Sequence, residues 1–294
     1  MNILFIGCVK FSEASLKKLI DMKANICGVI TKKESSFNAD FVDISYLAKM
    51  HNIPYFYTEN VNDIQTVNFI KELNPDVIYC FGWSQIIKNE ILEIPKLGVI
   101  GFHPAPLPKN RGRHPIIWTL FLGLDETAST FFFMDEGADS GDIISQKIIA
   151  VDYEDDANSL YNKITETALV QIEEFTHQLM NGDCQRVPQN NMKANYWRKR
   201  NYTDGIIDFR MSSRAIYNLV RALTHPYIGA DVRYRSKLYK VWKIREYKTN
   251  FANIEHGQVL KVEGKNILVK CYENAVWLIE HELPDTIKEG EYLI

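Results

Sequence analysis

The sequence predicts an α/β protein in which a doubly wound, mostly parallel, Rossmann-like sheet is followed by a small β subdomain at the carboxyl end. Over the first 80 residues, short apolar runs alternate with longer amphipathic stretches, as strands and helices do in a parallel sheet. Beyond about residue 230 the chain changes to short segments of alternating polarity separated by turns. A chain of 294 residues has room for both parts.

The individual elements follow from the periodicity of the apolar residues. Strands are predicted over 2–6, 26–31, 77–80, 127–134 and 143–151, with a further strand that His103 closes. Helices are predicted over 12–22, 43–51, 61–73, 115–121, 157–182 and 212–223. The carboxyl-terminal strands are predicted over 239–244, 257–262, 267–271 and 275–279. We therefore expect a core domain over 1–185, a connecting segment over 186–232 and the β subdomain over 233–294.

The composition is that of an ordinary globular protein, with 46% hydrophobic and 24% charged residues. No apolar run approaches the roughly 18 residues of a membrane-spanning helix. The amino terminus has the pattern of a buried strand and not of a signal peptide. The five cysteines lie far apart, so they predict free thiols and neither a disulfide framework nor a metal site. We expect a cytoplasmic protein with no membrane association.

Charge is distributed unevenly along the chain. Residues 1–194 carry 17 Lys and Arg against 25 Asp and Glu, a net −8, whereas residues 195–248 carry 13 against 4, a net +9. Residues 249–294 carry 4 against 8, a net −4. A protein that binds nucleic acid through many phosphates is usually basic over its whole binding domain. We therefore expect a small phosphorylated partner and not a nucleic acid.

The loop after the first strand argues against a nicotinamide dehydrogenase. Gly7 ends that strand, but Cys8-Val9-Lys10 follows it where the G-x-G-x-x-G turn needs further glycines. The backbone there is not prepared for close approach to a pyrophosphate.

His103 closes a buried strand and opens a stiff loop over 103–115, in which four of the thirteen residues are proline. Loops at the carboxyl ends of strands carry the ligand sites of open α/β sheets. The imidazole could donate a hydrogen bond to a developing oxyanion or move a proton. A strand-end histidine bonded only to the backbone is the competing interpretation.

Asp139 lies between Gly137 and Gly141 in a second loop that follows a buried strand. A carboxylate there could orient a neighbouring imidazolium or take a proton. A solvated acidic turn explains the same residue, because three further carboxylates lie close by in the sequence, namely Asp135, Glu136 and Asp142. Spacing alone leaves the role of Asp139 open.

Three motifs resemble the formyltransferase domain that uses 10-formyltetrahydrofolate, and their order and separations match that domain as well. They are Gly82-Trp83-Ser84-Gln85-Ile86-Ile87, the run His103-Pro104, Leu107-Pro108-Lys109 and Arg111-Gly112-Arg113, and Asp139-Ser140-Gly141-Asp142. Downstream segments resemble the branch of the family that formylates amino sugars on nucleotide carriers. Those segments are Tyr196-Trp197-Arg198-Lys199-Arg200, 204–208 and Leu223-Thr224-His225-Pro226-Tyr227.

The resemblance implies that a formyl group passes from 10-formyltetrahydrofolate to the amine of a nucleotide-linked amino sugar, with His103 and Asp139 as the catalytic residues. It implies main-chain contacts with the folate at Ser84, Gln85, Ile86, Ile87, Glu136, Gly137, Ala138 and Asp139. It implies substrate contacts at Trp83, Tyr196, Arg198, His225 and Tyr227, within and after the core. Candidates for binding anionic groups are Lys109, Arg111 and Arg113. No metal is implied, and a homodimer is left open.

One position departs from the family pattern of Asn-x-His followed later by Asp. Gly101 stands where the family has asparagine, and glycine offers no side-chain amide to the formyl oxygen. Loss of one oxyanion donor typically costs about 10²–10³ in rate. Either Asn110 or a backbone N–H replaces the amide, or His103 stabilises more of the charge, or activity is lost. The variant also indicates a distinct sub-branch, for which precursors of nonulosonic acids such as pseudaminic acid are candidate substrates.

Several other functions stay open beside the sugar formyltransferase. A methionyl-tRNA formyltransferase shares the core, but we expect it to be longer and to need a basic surface for RNA. A formyltransferase acting on glycinamide ribonucleotide would end near the core, and a formyl-folate hydrolase would not need the segment over 196–227. From a different class, the Gly101 departure is compatible with a non-catalytic binder of folate or sugar nucleotides.

Overall fold

The structure is a computed structural model that describes residues 1–35 and 39–294. The described residues form two compact units. The first unit contains Met1–Pro115, Thr127–Ile149 and Asn162–Trp197, and the second contains Ile116–Glu126, Ala150–Tyr161 and Arg198–Ile294.

The strands are numbered in chain order. They are β1 (Ile3–Ile6), β2 (Ile26–Thr31), β3 (Tyr55–Tyr57), β4 (Val77–Cys80), β5 (Val99–His103), β6 (Arg111–Gly112), β7 (Glu126–Phe133), β8 (Ile143–Ala150), β9 (Tyr196–Trp197), β10 (Ala230–Tyr234), β11 (Lys237–Tyr247), β12 (Val259–Glu263), β13 (Asn266–Lys270) and β14 (Ala275–His281). The α-helices are α1 (Lys10–Asp21), α2 (Ser45–Met50), α3 (Ile64–Leu73), α4 (Asn89–Leu92), α5 (Pro115–Phe121), α6 (Ala157–Asn181) and α7 (Ser213–Leu223).

A sheet with the strand order β3-β2-β1-β4-β5-β7-β8 forms the centre of the first unit. The pairs β3–β2, β2–β1, β1–β4 and β4–β5 are parallel, whereas β7 runs antiparallel to β5. The strand order reverses between β1 and β4, and open α/β sheets bind ligands beyond the carboxyl ends of strands near such a reversal. The predicted mostly parallel sheet is confirmed.

The core of the first unit explains why its strands are apolar without alternation. Leu4, Ile6 and Ile78 on adjacent strands are fully buried and pack with Val67 and Ile70 of α3. A parallel sheet covered on both faces needs apolar side chains on both. Each such side chain contributes about 1.5–3 kcal/mol on burial, so the strands form a rigid base for the loops that follow them.

Helix α3 shows how local sequence sets the bounds of an element. The Asp63 carboxylate accepts a hydrogen bond of 2.8 Å from the backbone N–H of Thr66 at the amino end. That backbone hydrogen bond lowers the pKa of Asp63. At the other end Asn74 adopts a left-handed conformation, with φ 43°, before Pro75 stops the helix.

The second unit contains the antiparallel sheet β10-β11-β14-β13-β12 and helix α7. The hydroxyl of Ser212 accepts from the backbone N–H of Ala215 and so caps α7. Arg221 of α7 is 8% exposed, and its guanidinium donates to the carbonyls of Asp152, Tyr153 and Asp155 at 3.0 Å each. Burial lowers the pKa of Arg221. The predicted carboxyl-terminal β subdomain is confirmed.

Sequence periodicity missed the shortest strands and one edge strand. Strands β3, β6 and β9 span only two or three residues, and β10 begins directly after a turn. None of the helices in the described residues is long and apolar enough to cross a membrane. Cys8, Cys80 and Cys271 are buried, whereas Cys27 and Cys184 are partly exposed.

Candidate active site

A cavity of about 240 Å³ lies in the first unit beyond the carboxyl ends of β4 and β5. Large apolar and aromatic side chains line part of it, namely Trp83, Ile87, Phe102, Phe132 and Met134. The remaining lining comes from Ser84, Gln85, Ile86, His103, Gly112, Arg113, Asp135, Gly137, Ala138 and Asp139. The cavity therefore brings the two loops predicted from the sequence to one place.

His103 is the last residue of β5 and lies opposite Thr130 of β7. Its side chain is 5% exposed, and Nε2 lies 2.7 Å from the carbonyl oxygen of Asn110. Because a carbonyl can only accept, Nε2 carries a proton and donates it. Nδ1 lies 3.6 Å from Oδ2 of Asp139. This separation suits an ion pair but exceeds the length of an ordinary hydrogen bond, so Nδ1 does not donate a hydrogen bond to Asp139.

Asp139 has a left-handed backbone conformation with φ 57°. Its Oδ2 accepts a hydrogen bond of 2.9 Å from the backbone N–H of Gly112, which orients the carboxylate toward His103. Within the same loop, Oδ1 of Asp135 accepts from the N–H of Gly137 at 3.0 Å and from the Ser140 hydroxyl at 2.7 Å. The acidic turn is therefore an ordered loop that orients the Asp139 carboxylate toward His103.

The proline-rich loop is held by side chains of the neighbouring strands. The Thr130 hydroxyl donates to the carbonyl of Ala105 at 2.7 Å, and Nε2 of Gln146 donates to the carbonyl of Leu107 at 2.9 Å. Gly112 of β6 pairs with Trp197 of β9 and has φ 106°. A Cβ on Gly112 would lie 2.3 Å from the Trp197 carbonyl oxygen, so only glycine allows this approach.

The segment after β4 is fixed by two amide side chains. Gln85 accepts from the N–H of Val61 at 3.0 Å and donates to the carbonyl of Glu59 at 2.7 Å. Asn62 donates to the carbonyl of Ile86 at 2.9 Å. The predicted folate-contact residues line the cavity, with the exception of Glu136. The Glu136 carboxylate instead accepts from the amide of Asn89.

The four residues considered as oxyanion or anion ligands occupy different environments. Arg111 is 2% exposed and its guanidinium is hydrogen-bonded within the protein. The backbone N–H of Asn110 donates to the Asn195 side chain at 2.8 Å, and its carbonyl accepts from His103. Lys109 is exposed and does not line the cavity. Arg113 alone among the four lines the cavity, and its guanidinium has no hydrogen-bond partner in the described chain.

Gly101 lies in β5, two residues before His103, and two neighbouring side chains crowd the position that a Cβ would take. A Cβ at this position would lie 3.0 Å from Cγ and Cε of Met134 and from Cζ of Phe132. Such contacts are tighter than ordinary van der Waals separations. The space into which the family's asparagine would project is filled by these two side chains.

The remaining predicted substrate residues are Trp83, which lines the cavity, and four residues outside it. Tyr196 is 61% exposed and its hydroxyl accepts from Arg111 at 2.9 Å. In the second unit, Arg198 donates to both carboxylate oxygens of Asp204, at 2.5 and 2.7 Å. The other two lie further along the second unit: His225 stacks on Trp242 with ring centroids 4.2 Å apart, and the Tyr227 N–H donates to the Thr224 carbonyl at 3.0 Å.

His225 also lines a separate cavity of about 660 Å³ within the second unit. Tyr217, Arg221 and Trp242 line the same cavity. Neither Arg198 nor Tyr227 is part of that lining.

Sequence reasoning missed the residues that hold the site together. Gln189 and Asn195 lie in the polar connection and bond to the loops that carry Asp139 and His103. Phe132 and Met134 were expected only as strand residues, yet they form a cavity wall. A polar segment without periodicity gives no signal of such contacts.

Comparison with known proteins assigns both parts of the chain. Residues 1–172 match the family model for formyl transferase, and residues 199–289 match that for the formyl transferase C-terminal domain. The methionyl-tRNA formyltransferase of Clostridioides difficile is 33% identical over 299 residues, which cover 100% of this chain and 96% of that protein. The bifunctional polymyxin resistance protein ArnA of Wigglesworthia glossinidia brevipalpis is 31% identical over 255 residues, which cover 85% of this chain and 39% of that protein.

Two solved structures share the fold. The sugar 3N-formyl transferase WlaRD, studied in the presence of dTDP and 5-N-formyl-THF, has a TM-score of 0.70 and 20% identity, with 94% of this chain and 96% of that chain covered. The N-formyltransferase from Helicobacter canadensis, in complex with folinic acid and dTDP-3-aminofucose, has a TM-score of 0.72 and 17% identity, with 95% and 99% covered.

The fold and the site define an enzyme that transfers a formyl group. The chain belongs to the formyl transferase family, whose formyl donor is 10-formyltetrahydrofolate. The chain was expected to be rather short for a methionyl-tRNA formyltransferase, but length does not separate it from these proteins, because the match covers 96% of that relative.

Proposed function

We propose that this enzyme formylates the amine of a nucleotide-linked amino sugar. The observation that carries the proposal is the charge of the cavity lining, which contains one cation, Arg113, and two carboxylates, Asp135 and Asp139. Carboxylates favour the approach of a protonated amine, and one guanidinium suffices for a diphosphate. An RNA acceptor needs many phosphate contacts, and this lining does not supply them.

The net charge of the segment that contains the site supports the same choice. Residues 1–194 carry −8, so they repel a polyanion more strongly than they repel a small diphosphate. The two structural neighbours, solved with dTDP or with a dTDP-linked amino sugar, add support from the same fold.

The lining fits the ring system of the formyl donor. Its apolar walls suit a flat aromatic ring, and a volume of about 240 Å³ is below the roughly 300–1,000 Å³ of pockets that enclose whole drug-sized ligands. The apolar part of the lining therefore fits the pterin, whereas the charged residues Arg113, Asp135 and Asp139 are left to the acceptor, and the remainder of the folate lies outside. The donor, when bound, supplies the formyl carbon for attack by the amine.

His103 and Asp139 then share the chemistry. Nδ1 of His103 is the ring nitrogen left free by the bond to Asn110, so a proton there can stabilise negative charge that develops on the formyl oxygen. The neutral amine attacks the formyl carbon. Asp139 stabilises the imidazolium and accepts the proton that the amine loses, directly or through water; this proton passes to N10 of the donor as the bond from N10 to the formyl carbon breaks and tetrahydrofolate leaves. Since Gly101 supplies no amide, His103 carries the share of the charge that the family's asparagine would otherwise stabilise.

A second candidate function is methionyl-tRNA formylation. It is favoured by the 33% identity to proteins of that name and by the +9 charge of residues 195–248, a segment that could meet RNA phosphates. The charge of the cavity lining is the observation against it.

The test offers 10-formyltetrahydrofolate to the purified enzyme with a panel of nucleotide-linked amino sugars, including nonulosonic acid precursors, or with methionyl-tRNA. Tetrahydrofolate release and the mass of each acceptor are measured, with His103→Ala as the inactive control. Formylation of a sugar nucleotide but not of methionyl-tRNA supports the proposal, and the reverse result transfers the assignment to the second candidate. Release without acceptor would indicate a hydrolase, and folate binding without any release would indicate a binding protein.

A further inference from the structure

The side-chain amide of Gln189 makes hydrogen bonds, through both its nitrogen and its oxygen, to the two loops that carry His103 and Asp139. Its Nε2 donates to the carbonyl oxygens of Asp139, at 2.9 Å, and Gly141, at 2.6 Å. Its Oε1 accepts from Nε of Arg111 at 3.2 Å and from a terminal guanidinium nitrogen of Arg111 at 2.7 Å. Reversing the amide would set donors against donors and acceptors against acceptors, so its orientation is fixed.

Arg111 is held by neutral groups. Its remaining hydrogen bonds go to the Asn191 side chain at 2.8 Å and to the Tyr196 hydroxyl at 2.9 Å. Within the described residues no carboxylate is among its hydrogen-bond partners. A buried guanidinium polarises the amide that accepts from it, and this strengthens the donors at the other end of that amide. The charge of Arg111 therefore reinforces the bonds from Gln189 to the loop of Asp139.

The loop of Asp139 needs such support. A non-glycine residue at φ 57° costs on the order of 1 kcal/mol relative to ordinary backbone. Gln189 holds the main chain of Asp139, while Gly112 holds its carboxylate. Three consecutive residues therefore hold the catalytic pair. The Asn110 carbonyl accepts a hydrogen bond from His103, and the Gly112 N–H donates one to the Asp139 carboxylate. Arg111, between them, holds the loop of Asp139 through Gln189.

We propose that Gln189, acting with Arg111, is a positioning residue that sets the separation of His103 and Asp139 for formyl transfer. Gln189 does not line the cavity, so it acts on the pair through the loops that it holds. The proposal holds for whichever amine is formylated. Removal of its two hydrogen bonds lets Asp139 relax away from His103, and misplacement of a catalytic group by about 1 Å costs on the order of 10²-fold in rate.

The decisive variant is Gln189→Glu. A glutamate still accepts from Arg111 and gains an ion pair with it, but it cannot donate to the two carbonyls. If Gln189 only satisfies Arg111, Gln189→Glu keeps wild-type turnover. If it positions Asp139, kcat falls about 10- to 100-fold, KM for folate and acceptor changes little, and the pH profile of kcat moves because the pair is altered.

Asn191→Ala is the matched control, since it removes one acceptor from Arg111 without touching the loop of Asp139. Thermal unfolding is measured for each variant, and tetrahydrofolate release is followed with an acceptor that the wild type formylates. Retained folding with a reduced kcat in Gln189→Glu, and near-normal kcat in Asn191→Ala, is the expected result. Wild-type kcat and an unchanged pH profile in Gln189→Glu would overturn the proposal.

If no acceptor is found for the wild type, the imidazole NMR signals of His103 are compared between the wild type and both variants. Signals that stay unchanged in Gln189→Glu would show an undisturbed pair and overturn the proposal.

Discussion

Met134 packs against Gly101 so closely that a single added methyl group at Gly101 would lie 3.0 Å from two of its atoms. Gly101 lies in β5 and Met134 directly follows the adjacent strand β7, and Met134 also lines the cavity that contains His103. The absence of the family's asparagine is therefore built into the packing of the site. An added side chain at Gly101 requires Met134 or Phe132 to shift.

We predict that Gly101→Asn alone lowers stability and does not increase the rate. The new side chain has to displace Met134 or Phe132, and such overpacking typically costs about 1–3 kcal/mol. The double variant Gly101→Asn with Met134→Ala makes room for the amide, so part of the lost stability returns. Urea unfolding and kcat of both variants check this. A single variant as stable as the wild type would contradict the packing argument.

We predict that His103→Ala abolishes measurable transfer while the protein stays folded. Loss of a proton-transfer and hydrogen-bonding group typically costs about 10²–10⁴ in rate, and here no amide at position 101 shares its role. Asp139→Asn keeps an oxygen that can accept from Gly112 but loses the charge, so its kcat falls while folate affinity changes little. Steady-state kinetics and folate binding separate the effects. Near-normal turnover in His103→Ala would refute the assigned role.

The pair of Asp204 and Arg198 predicts a pH-dependent contribution to stability. Hydrogen bonds from Arg198, with the N–H of Asn201, lower the pKa of Asp204 to about 2. Since the folded-state pKa lies below the ordinary value near 3.9, the stabilisation is complete above that value and is lost as the pH falls toward 2. Arg198 is 58% exposed, so solvent screening reduces this contribution.

The measurement for this pair is urea unfolding of Asp204→Asn and wild type at several pH values. We expect a lower free energy of unfolding for the variant at pH 7, with a difference that shrinks between pH 4 and pH 3. Asp183→Asn is the control, because the Asp183 carboxylate makes no hydrogen bond or ion pair in the described chain. A difference that is the same at all pH values would exclude the ionised Asp204 as its source.

The sequence allowed the buried strands to be predicted because β1, β2 and β4 are apolar on both faces. Strand β3 escaped, since three half-buried residues carry no periodicity. The loops of His103 and Asp139 were each predictable as loops after strands. The contact between the two loops was not predictable. Antiparallel pairing sets Phe133, at the end of β7, opposite Ile100 of β5, so the loop over 135–142 has to return toward His103 at the other end of β5. Only the structure shows that Gln189 holds this loop in place.

We predict that Arg113 and Lys109, close together in one loop, differ sharply in their effect on the acceptor. The guanidinium of Arg113 lines the cavity and has no protein partner in the described residues, so it is available for an anionic acceptor. Arg113→Gln therefore raises the KM for a phosphorylated acceptor about 10- to 100-fold, as expected for a lost charged contact of about 1.5–3 kcal/mol, with a smaller change in kcat. Lys109→Gln removes an exposed charge outside the cavity and should leave KM within about twofold, since a single surface charge contributes little. Kinetics at two salt concentrations check the comparison, because a direct contact is screened less than a distant charge. Equal effects of the two substitutions would show that only the overall charge of the loop matters.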